Sequence, residues 1–524
     1  MRHRGLEVLL GALVGAILGC TCGPGNEPAG GSAAGAPTAA GRGLVRNLPG
    51  SADGYVLFTP ILSYTTFLID KEGRVVHTWE SDRPPGISPY LLDNGHLLRC
   101  AQQESRVAAF GNAGTGGRIQ EFDWEGNLLW DWSVAYESML QHHDIEPLPN
   151  GNVLLVAYER KTAEDAIRAG RDPSLVPSRG VWPDCVLEVR PERPRGGTVV
   201  WEWHVWDHLI QGRDPARENF GDPSAHPERV DVNGAPHPER GSEEAIEKLR
   251  TLGYLGGGGG GGGNDRIELS DFMHTNSVAY NPRLDQIALS VLYFDEVWII
   301  DHGTTTREAA GPAGGRAGRG GDLLYRWGNP RAYRRGAFGD RRLFAQHDAR
   351  WIPEGHPGAG NLTVFNNGTG RPGTDYSSVV EVEPPLEPDG TYRIGPGRRF
   401  GPARPVWEYT APKKGAFLAE FISGAHRLRN GDTLVCSGPD GRLFEVTPRG
   451  EIVWEYRNPF TGDAPNPSGD PAYAVFRATL IPPDHPGLAG RTLEPLDPQP
   501  PLYGTRSGAA ARHTASTSPR KARW

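Results

Sequence analysis

Gly126-Asn-Leu-Leu-Trp-Asp-Trp132, Gly197-Thr-Val-Val-Trp-Glu-Trp203 and Gly450-Glu-Ile-Val-Trp-Glu-Tyr456 follow one pattern. A turn glycine leads into apolar residues, and two aromatic residues follow one position apart. Period-two alternation behind a turn marks a β-strand closing a hairpin. Three further stretches end in a similar way: Gly73-Arg-Val-Val-His-Thr-Trp79, Leu323-Leu-Tyr-Arg-Trp327 and Pro405-Val-Trp-Glu-Tyr409. Six copies of one unit predict an all-β chain folded as a six-bladed β-propeller. Trp130, Trp201, Trp407 and Trp454, placed beside valine and leucine at period two, are expected to pack between blades rather than touch a ligand.

A second recurring element supports the same count. Leu92-Asp-Asn-Gly-His-Leu-Leu98, Leu148-Pro-Asn-Gly-Asn-Val-Leu-Leu155 and Leu428-Arg-Asn-Gly-Asp-Thr-Leu-Val435 each place Asn-Gly between apolar runs, a strong hairpin signal. Looser copies begin at Asn281, at Trp351-Ile-Pro-Glu-Gly and at Leu480-Ile-Pro-Pro.

The 524 residues include 71 Gly and 47 Pro, which suits many tight turns in one large ring. Net charge is −8, so no basic surface for nucleic acid is expected. Arg2 and Arg4 precede an apolar run from Val8 to Leu18, too short to span a bilayer and suited to a signal-peptide core. Ile17-Leu-Gly-Cys20 resembles a bacterial lipobox, which makes Cys20 the expected lipidation site and membrane anchor; an ordinary secretory signal cut elsewhere is the alternative. The expected division is a signal at 1–19, a flexible Gly/Ala/Pro-rich tether at 20–50, the propeller at 51–500 and a disordered polar tail at 501–524. An insertion at 207–270 carries the octaglycine Gly256 to Gly263 and the one expected helix, Ser242 to Leu252. The five cysteines show no CxxC spacing, so neither a zinc site nor a disulfide framework is read from them.

Histidine placement carries the chemistry. His143-Asp144, His274-Thr-Asn276 and His347-Asp348 each begin seven residues ahead of a hairpin turn. A ring fold would aim three imidazoles at one register toward a shared axis, although a strand histidine also serves as a hydrogen-bonded core residue. His426 stands three residues nearer its own turn, an odd offset that faces it the other way unless a bulge intervenes. Arg371, after Val364-Phe-Asn-Asn-Gly-Thr-Gly, is either a solvated turn residue or a fork for an oxyanion. Asp131 and Glu202 lie inside the aromatic endings and are read as facing solvent or capping neighbouring blades rather than performing acid/base work. With no phosphate-cradling loop, dinucleotide fingerprint or acidic metal set, imidazoles and one arginine suit a compact anion: sulfate, phosphate or carboxylate.

Taken together, Gln141-His-His-Asp-Ile-Glu-Pro-Leu-Pro-Asn-Gly, His274-Thr-Asn-Ser-Val-Ala-Tyr-Asn, Gln346-His-Asp-Ala-Arg-Trp-Ile and the Trp-Glu-Trp endings resemble the bacterial arylsulfotransferases over about Gly54 to Pro483. The resemblance implies an envelope enzyme that moves a sulfuryl group from a phenolic sulfate ester to a phenol, without a nucleotide donor, cofactor or metal, through a sulfated histidine. Carried over by motif, it makes His426 the nucleophile, gives His274 and His347 the sulfuryl and phenolic oxygens, and gives Arg371 the sulfate. His143 and Asn276 join them as substrate-binding candidates. Two other readings remain: a non-catalytic envelope propeller that binds a ligand or partner through its funnel, and a quinone-cofactor dehydrogenase, against which stand six units rather than eight and the lack of vicinal cysteines.

Overall fold

The computed structural model describes residues 41–103, 107, 109–110, 116–234, 270–395, 397, 399–462 and 472–502. The signal sequence, Cys20, the octaglycine, the expected helix at 242–252 and the tail beyond 502 lie outside the described residues.

Six antiparallel sheets follow one another as blades, five with four strands and the last with five, running outward from an axis. Their innermost strands are Val475–Ile481 in blade 1, Pro85–Leu91 in blade 2, Met139–Pro147 in blade 3, Thr275–Asn281 in blade 4, His347–Trp351 in blade 5 and Gly424–Arg427 in blade 6. Blade 1 is closed by the two ends of the chain, because Val475–Ile481 pairs with Tyr55–Pro60 in the register Tyr55↔Ile481. Among the described residues the only α-helices are the short Ala163–Arg168 and Thr306–Ala309.

The aromatic endings lie on outer strands and tie each blade to the next. Each relevant indole N–H donates across a blade boundary: Trp79 to Asp123 O at 3.0 Å, Trp130 to Gly196 O at 2.7 Å, and Trp201 to Thr304 Oγ1 at 3.0 Å. Trp327 donates to Pro402 O at 2.7 Å, Trp407 to Pro448 O at 2.9 Å, and Trp454 to Lys71 O at 2.8 Å, which returns the series to blade 1. The repeat exists because one residue type answers two needs at every boundary. The ring fills the gap between two twisted sheets, and its N–H satisfies a turn acceptor there.

Two expected boundaries differ. Gly43–Asn47 forms a fifth, outermost strand on blade 6, with Leu44 opposite Tyr456, so pairing begins ahead of residue 51, within the stretch assigned to a tether. Its alternating Leu-Val-Arg-Asn sequence offers an unpaired edge one more ladder. The described part of the insertion is also not a free loop: Leu209–Ile210 pairs in parallel with Val230–Asp231, and Leu209, Val230 and Val232 are buried in the core between blades 3 and 4.

Candidate active site

The inner strands do not run as regular ladders. In blades 1 to 5 the pairing slips by a bulge near the start of the strand. Left-handed backbone accompanies it: φ is +52° at His143, +54° at His274 and +56° at Asp348, while blade 6 has +48° at Ile422 and +90° at Ser423. Such residues are rare outside glycine and concentrate at functional sites. The bulge breaks the alternation, so neighbouring residues such as His143 and Asp144 are both buried around the axis.

Three histidines meet at the start of the inner strands. The rings of His143 and His274 lie edge to face with centroids 4.4 Å apart, and Phe476 of blade 1 contacts both His143 and His347, at 6.4 and 6.2 Å. His274 is held by Asp271, whose Oδ2 lies 2.5 Å from Nδ1 and whose Oδ1 accepts the His274 backbone N–H at 3.0 Å. Tyr158 donates its hydroxyl to the same Asp271 Oδ2 at 2.9 Å. Burial lowers the affinity of His274 for a proton, but Asp271 and Asp184 outweigh it and the pKa is raised.

His347 is set the opposite way. Its Nδ1 lies 2.8 Å from Asn367 Oδ1, and Asn367 spends its Nδ2 protons on the carbonyls of Ala419 and Ile422, at 2.8 and 2.9 Å. That arrangement fixes the amide, so the Asn367 oxygen must face the imidazole and His347 carries its proton on Nδ1. The Nε2 lone pair is then available. Burial pushes the pKa of His347 down to about 4, opposed by the Asn367 hydrogen bond and assisted by the nearby His274 charge. His143, with Nδ1 at 2.7 Å from His142 Nδ1, is likewise pushed well below its ordinary value by burial and by its histidine neighbours. The partners of the two imidazoles thus oppose each other: Asp271 favours the charged form of His274, whereas burial disfavours that of His347.

Farther along the same strands lies a buried ionic layer. Arg477 Nη1 donates to Asp144 Oδ1 and its Nη2 to Asp144 Oδ2, each at 3.0 Å, and its Nε lies 2.8 Å from Asp348 Oδ1. Arg350 reaches Glu146 at 2.6 Å, Asp348 at 3.0 Å and Asp144 at 3.2 Å, and Tyr90 donates to Asp144 Oδ1 at 2.8 Å. Burial alone would raise the Asp348 carboxyl, but Arg477, His426 and Arg350 hold it far below the usual range. Gly424 allows this approach, since a Cβ there would fall 2.2 Å from Asp348 Oδ2.

The structure therefore gathers part of the expected set. His143, His274 and His347 converge. Arg371 follows Asn367 in the same loop, but its guanidinium is held by Ser378 Oγ at 2.8 Å and Tyr376 OH at 3.3 Å and stacks on Tyr376; it contacts none of the three imidazoles. Asn276 uses its amide to brace blade 4 on Gln346 O at 2.8 Å. His426 is not with them: its Nε2 lies 3.1 Å from Asp348 Oδ2, and it lines a separate cavity of about 920 Å³ together with Tyr90, Glu146 and Arg350. Residue 423, seven before Asn430, is the blade 6 counterpart of the three histidines, and it is a serine. Sequence reasoning missed Asp271, Asn367 and Arg477. Among the described residues no group of three His, Cys, Asp or Glu side chains is arranged to hold a metal ion.

A fold of six blades with a histidine cluster on its axis defines the class, and the family follows from comparison. The family model for arylsulfotransferase (ASST) matches residues 59–453, so the chain belongs to the arylsulfotransferase family. No curated protein matches it. Solved structures resemble it distantly: a protein of unknown function from Bacteroides caccae at 11% identity, covering 82% of this chain and 98% of that one with a TM-score of 0.40, and a streptogramin B lyase at 10% identity, covering 84% and 94% with a TM-score of 0.34.

Proposed function

We propose that the protein transfers a sulfuryl group between phenolic oxygens, with His347 as nucleophile and His274 as the cationic partner. The observation that carries this reading is the pair of opposite partners, the Asp271 carboxylate on His274 Nδ1 and the fixed Asn367 carbonyl oxygen on His347 Nδ1, which leaves His347 Nε2 as the lone pair. Sulfuryl transfer, like phosphoryl transfer, asks mostly for in-line positioning and charge stabilisation.

In the first half-reaction His347 Nε2 gives its lone pair to sulfur and the bond from sulfur to the aryl oxygen breaks. The departing phenolate takes the proton of His274 Nε2. Asn367 Oδ1, accepting from His347 Nδ1, steadies the positive charge that the sulfated ring acquires. In the second half a phenol acceptor returns its proton to His274 and attacks sulfur, and the S–N electrons return to His347. His143 and Phe476 pack against the reacting rings and keep water out. His426, attached to the other face of the ionic layer, takes no step here.

Purified protein given 4-nitrophenyl sulfate and a phenol acceptor should release 4-nitrophenolate and form the new aryl ester; absence of both under varied acceptors would leave the binding-propeller reading in its place. We further infer display outside the cytoplasm on a Cys20 lipid anchor, supported by the Arg2, Arg4 and Val8 to Leu18 pattern. Radiolabelled palmitate should enter the wild type and not Cys20→Ala; equal labelling of both refutes the anchor.

A further inference from the structure

We propose that the cavity at the far end of the inner strands is a second small-molecule site, built for an uncharged aromatic alcohol whose hydroxyl pairs with His426 Nδ1. The inner strands all leave the histidine cluster in the same direction, so His347, Asp348 and Arg350 descend in order, as do His143, Asp144 and Glu146. The cavity is lined by the later residues of these strands, and none of the three clustered histidines reaches it. Its volume, about 920 Å³, is suited to enclosing most of a drug-sized molecule.

Its lining says what kind of molecule fits. Tyr90, Trp351, Ile352, Leu428, Leu480 and Pro482 offer aromatic and aliphatic surface. Charges at the walls are already committed: Arg350 to Asp144, Glu146 and Asp348, Arg427 to Glu381, Arg429 to Asp484 at 2.7 Å, and Arg283 to Glu354 at 3.0 Å. Asp53 sits at the exposed rim, within reach of water. A charged ligand would lose hydration without finding an unpaired countercharge, which disfavours it strongly.

Among the lining side chains that could orient a guest, His426 is the one fixed from behind by the ionic layer. Asp348 is fully buried and ionised among cations, so it can only accept, and His426 donates to it from Nε2. The ring's Nδ1 is then the polar atom left over, which no group among the described residues meets. A hydroxyl, which both donates and accepts, can pair with Nδ1 whichever role that nitrogen takes; an ether or ketone can only accept. The same geometry explains why His426 is positioned so firmly although it lies apart from the histidine cluster.

The test uses the full chain and 2-naphthalenemethanol, whose intrinsic fluorescence reports binding, with 2-(methoxymethyl)naphthalene and 2-naphthoate as comparisons. Saturable one-to-one binding of the alcohol is expected, on the order of ten-fold tighter than its methyl ether, with the carboxylate weaker still. His426→Phe should weaken the alcohol about ten-fold and erase its advantage over the ether. Leu480→Trp, which fills the cavity from its wall without touching the ionic layer, should weaken both neutral probes; an unchanged circular dichroism spectrum shows that each variant is folded. His347→Ala should leave alcohol binding as in the wild type, which separates this site from the sulfuryl site. No saturable binding to the wild type, equal affinity for alcohol and ether, tighter binding of the carboxylate, or loss of binding in His347→Ala would each overturn the proposal.

Discussion

The two ends of the central channel use the same residue type in opposite ways. At the start of the inner strands, His143 packs on His274, Phe476 joins His143 to His347, and Asp271 and Asn367 tune the rings apart. At the far end His426 stands by itself on Asp348, facing a cavity rather than other imidazoles. Between them lies the Arg477, Asp144, Asp348 and Arg350 layer. Histidine at a propeller axis is thus no sufficient mark of a reacting group; what decides is the second group that fixes its proton and the register that chooses its end.

The contrast breaks most severely if the layer between the ends is removed. Arg477→Leu leaves Asp144 and Asp348 short of a partner in a fully buried setting, and should destabilise the fold by about 3–5 kcal/mol in urea unfolding. A loss below about 1 kcal/mol would mean that the layer is hydrated and does not divide the channel. Substitutions at the two ends should then separate in turnover. His347→Ala should lower arylsulfotransfer by on the order of 10³-fold or more and His274→Ala by about 10²–10³-fold, while His426→Phe stays within a few-fold of wild type. Comparable losses at His347 and His426 would merge the two ends into one site.

The protonation pattern sharpens the same comparison. His347 must be neutral to attack and His274 protonated to assist, so the rate should rise as pH passes about 4 and fall as pH passes the raised value of His274. An acid limb near the ordinary histidine range instead would count against His347 as nucleophile. Asn367→Leu, which removes the acceptor that steadies the cation on Nδ1, should move that limb to still lower pH and reduce the maximal rate. The smallest effect belongs to the rim: Trp407→Phe, at the least buried of the inter-blade indoles, should cost about 0.5–1.5 kcal/mol in unfolding, and Trp454→Phe, fully buried and stacked by Lys71, about 1–3 kcal/mol.

The repeated Trp endings and Asn-Gly turns made the ring and its six blades readable, because both elements are local and recur in sequence. The three-histidine register was readable for the same reason: each imidazole is counted from its own turn. His426 marks the limit of that register. Counting back seven residues from Asn430 arrives at Ser423, so the register itself puts His426 at another level of the strand, and the role of nucleophile came to it from the family resemblance alone. Arg477 carried no sequence signal because its partners Asp144 and Asp348 lie in other blades, and Asp271 carried none because it meets His274 only through the irregular start of the blade 4 strand. Asn367 stood inside the quoted Val364-Phe-Asn-Asn-Gly, but only the two carbonyls behind it reveal why its oxygen faces His347.

The most direct test of the division is to locate the covalent intermediate. Protein incubated with 4-methylumbelliferyl sulfate without acceptor, quenched at alkaline pH to preserve the acid-labile S–N bond and mapped by mass spectrometry, should carry one sulfuryl group on the peptide containing His347, lost in His347→Ala and retained in His426→Phe. A sulfuryl group on His426 would contradict the account and return the chemistry to the far end of the channel.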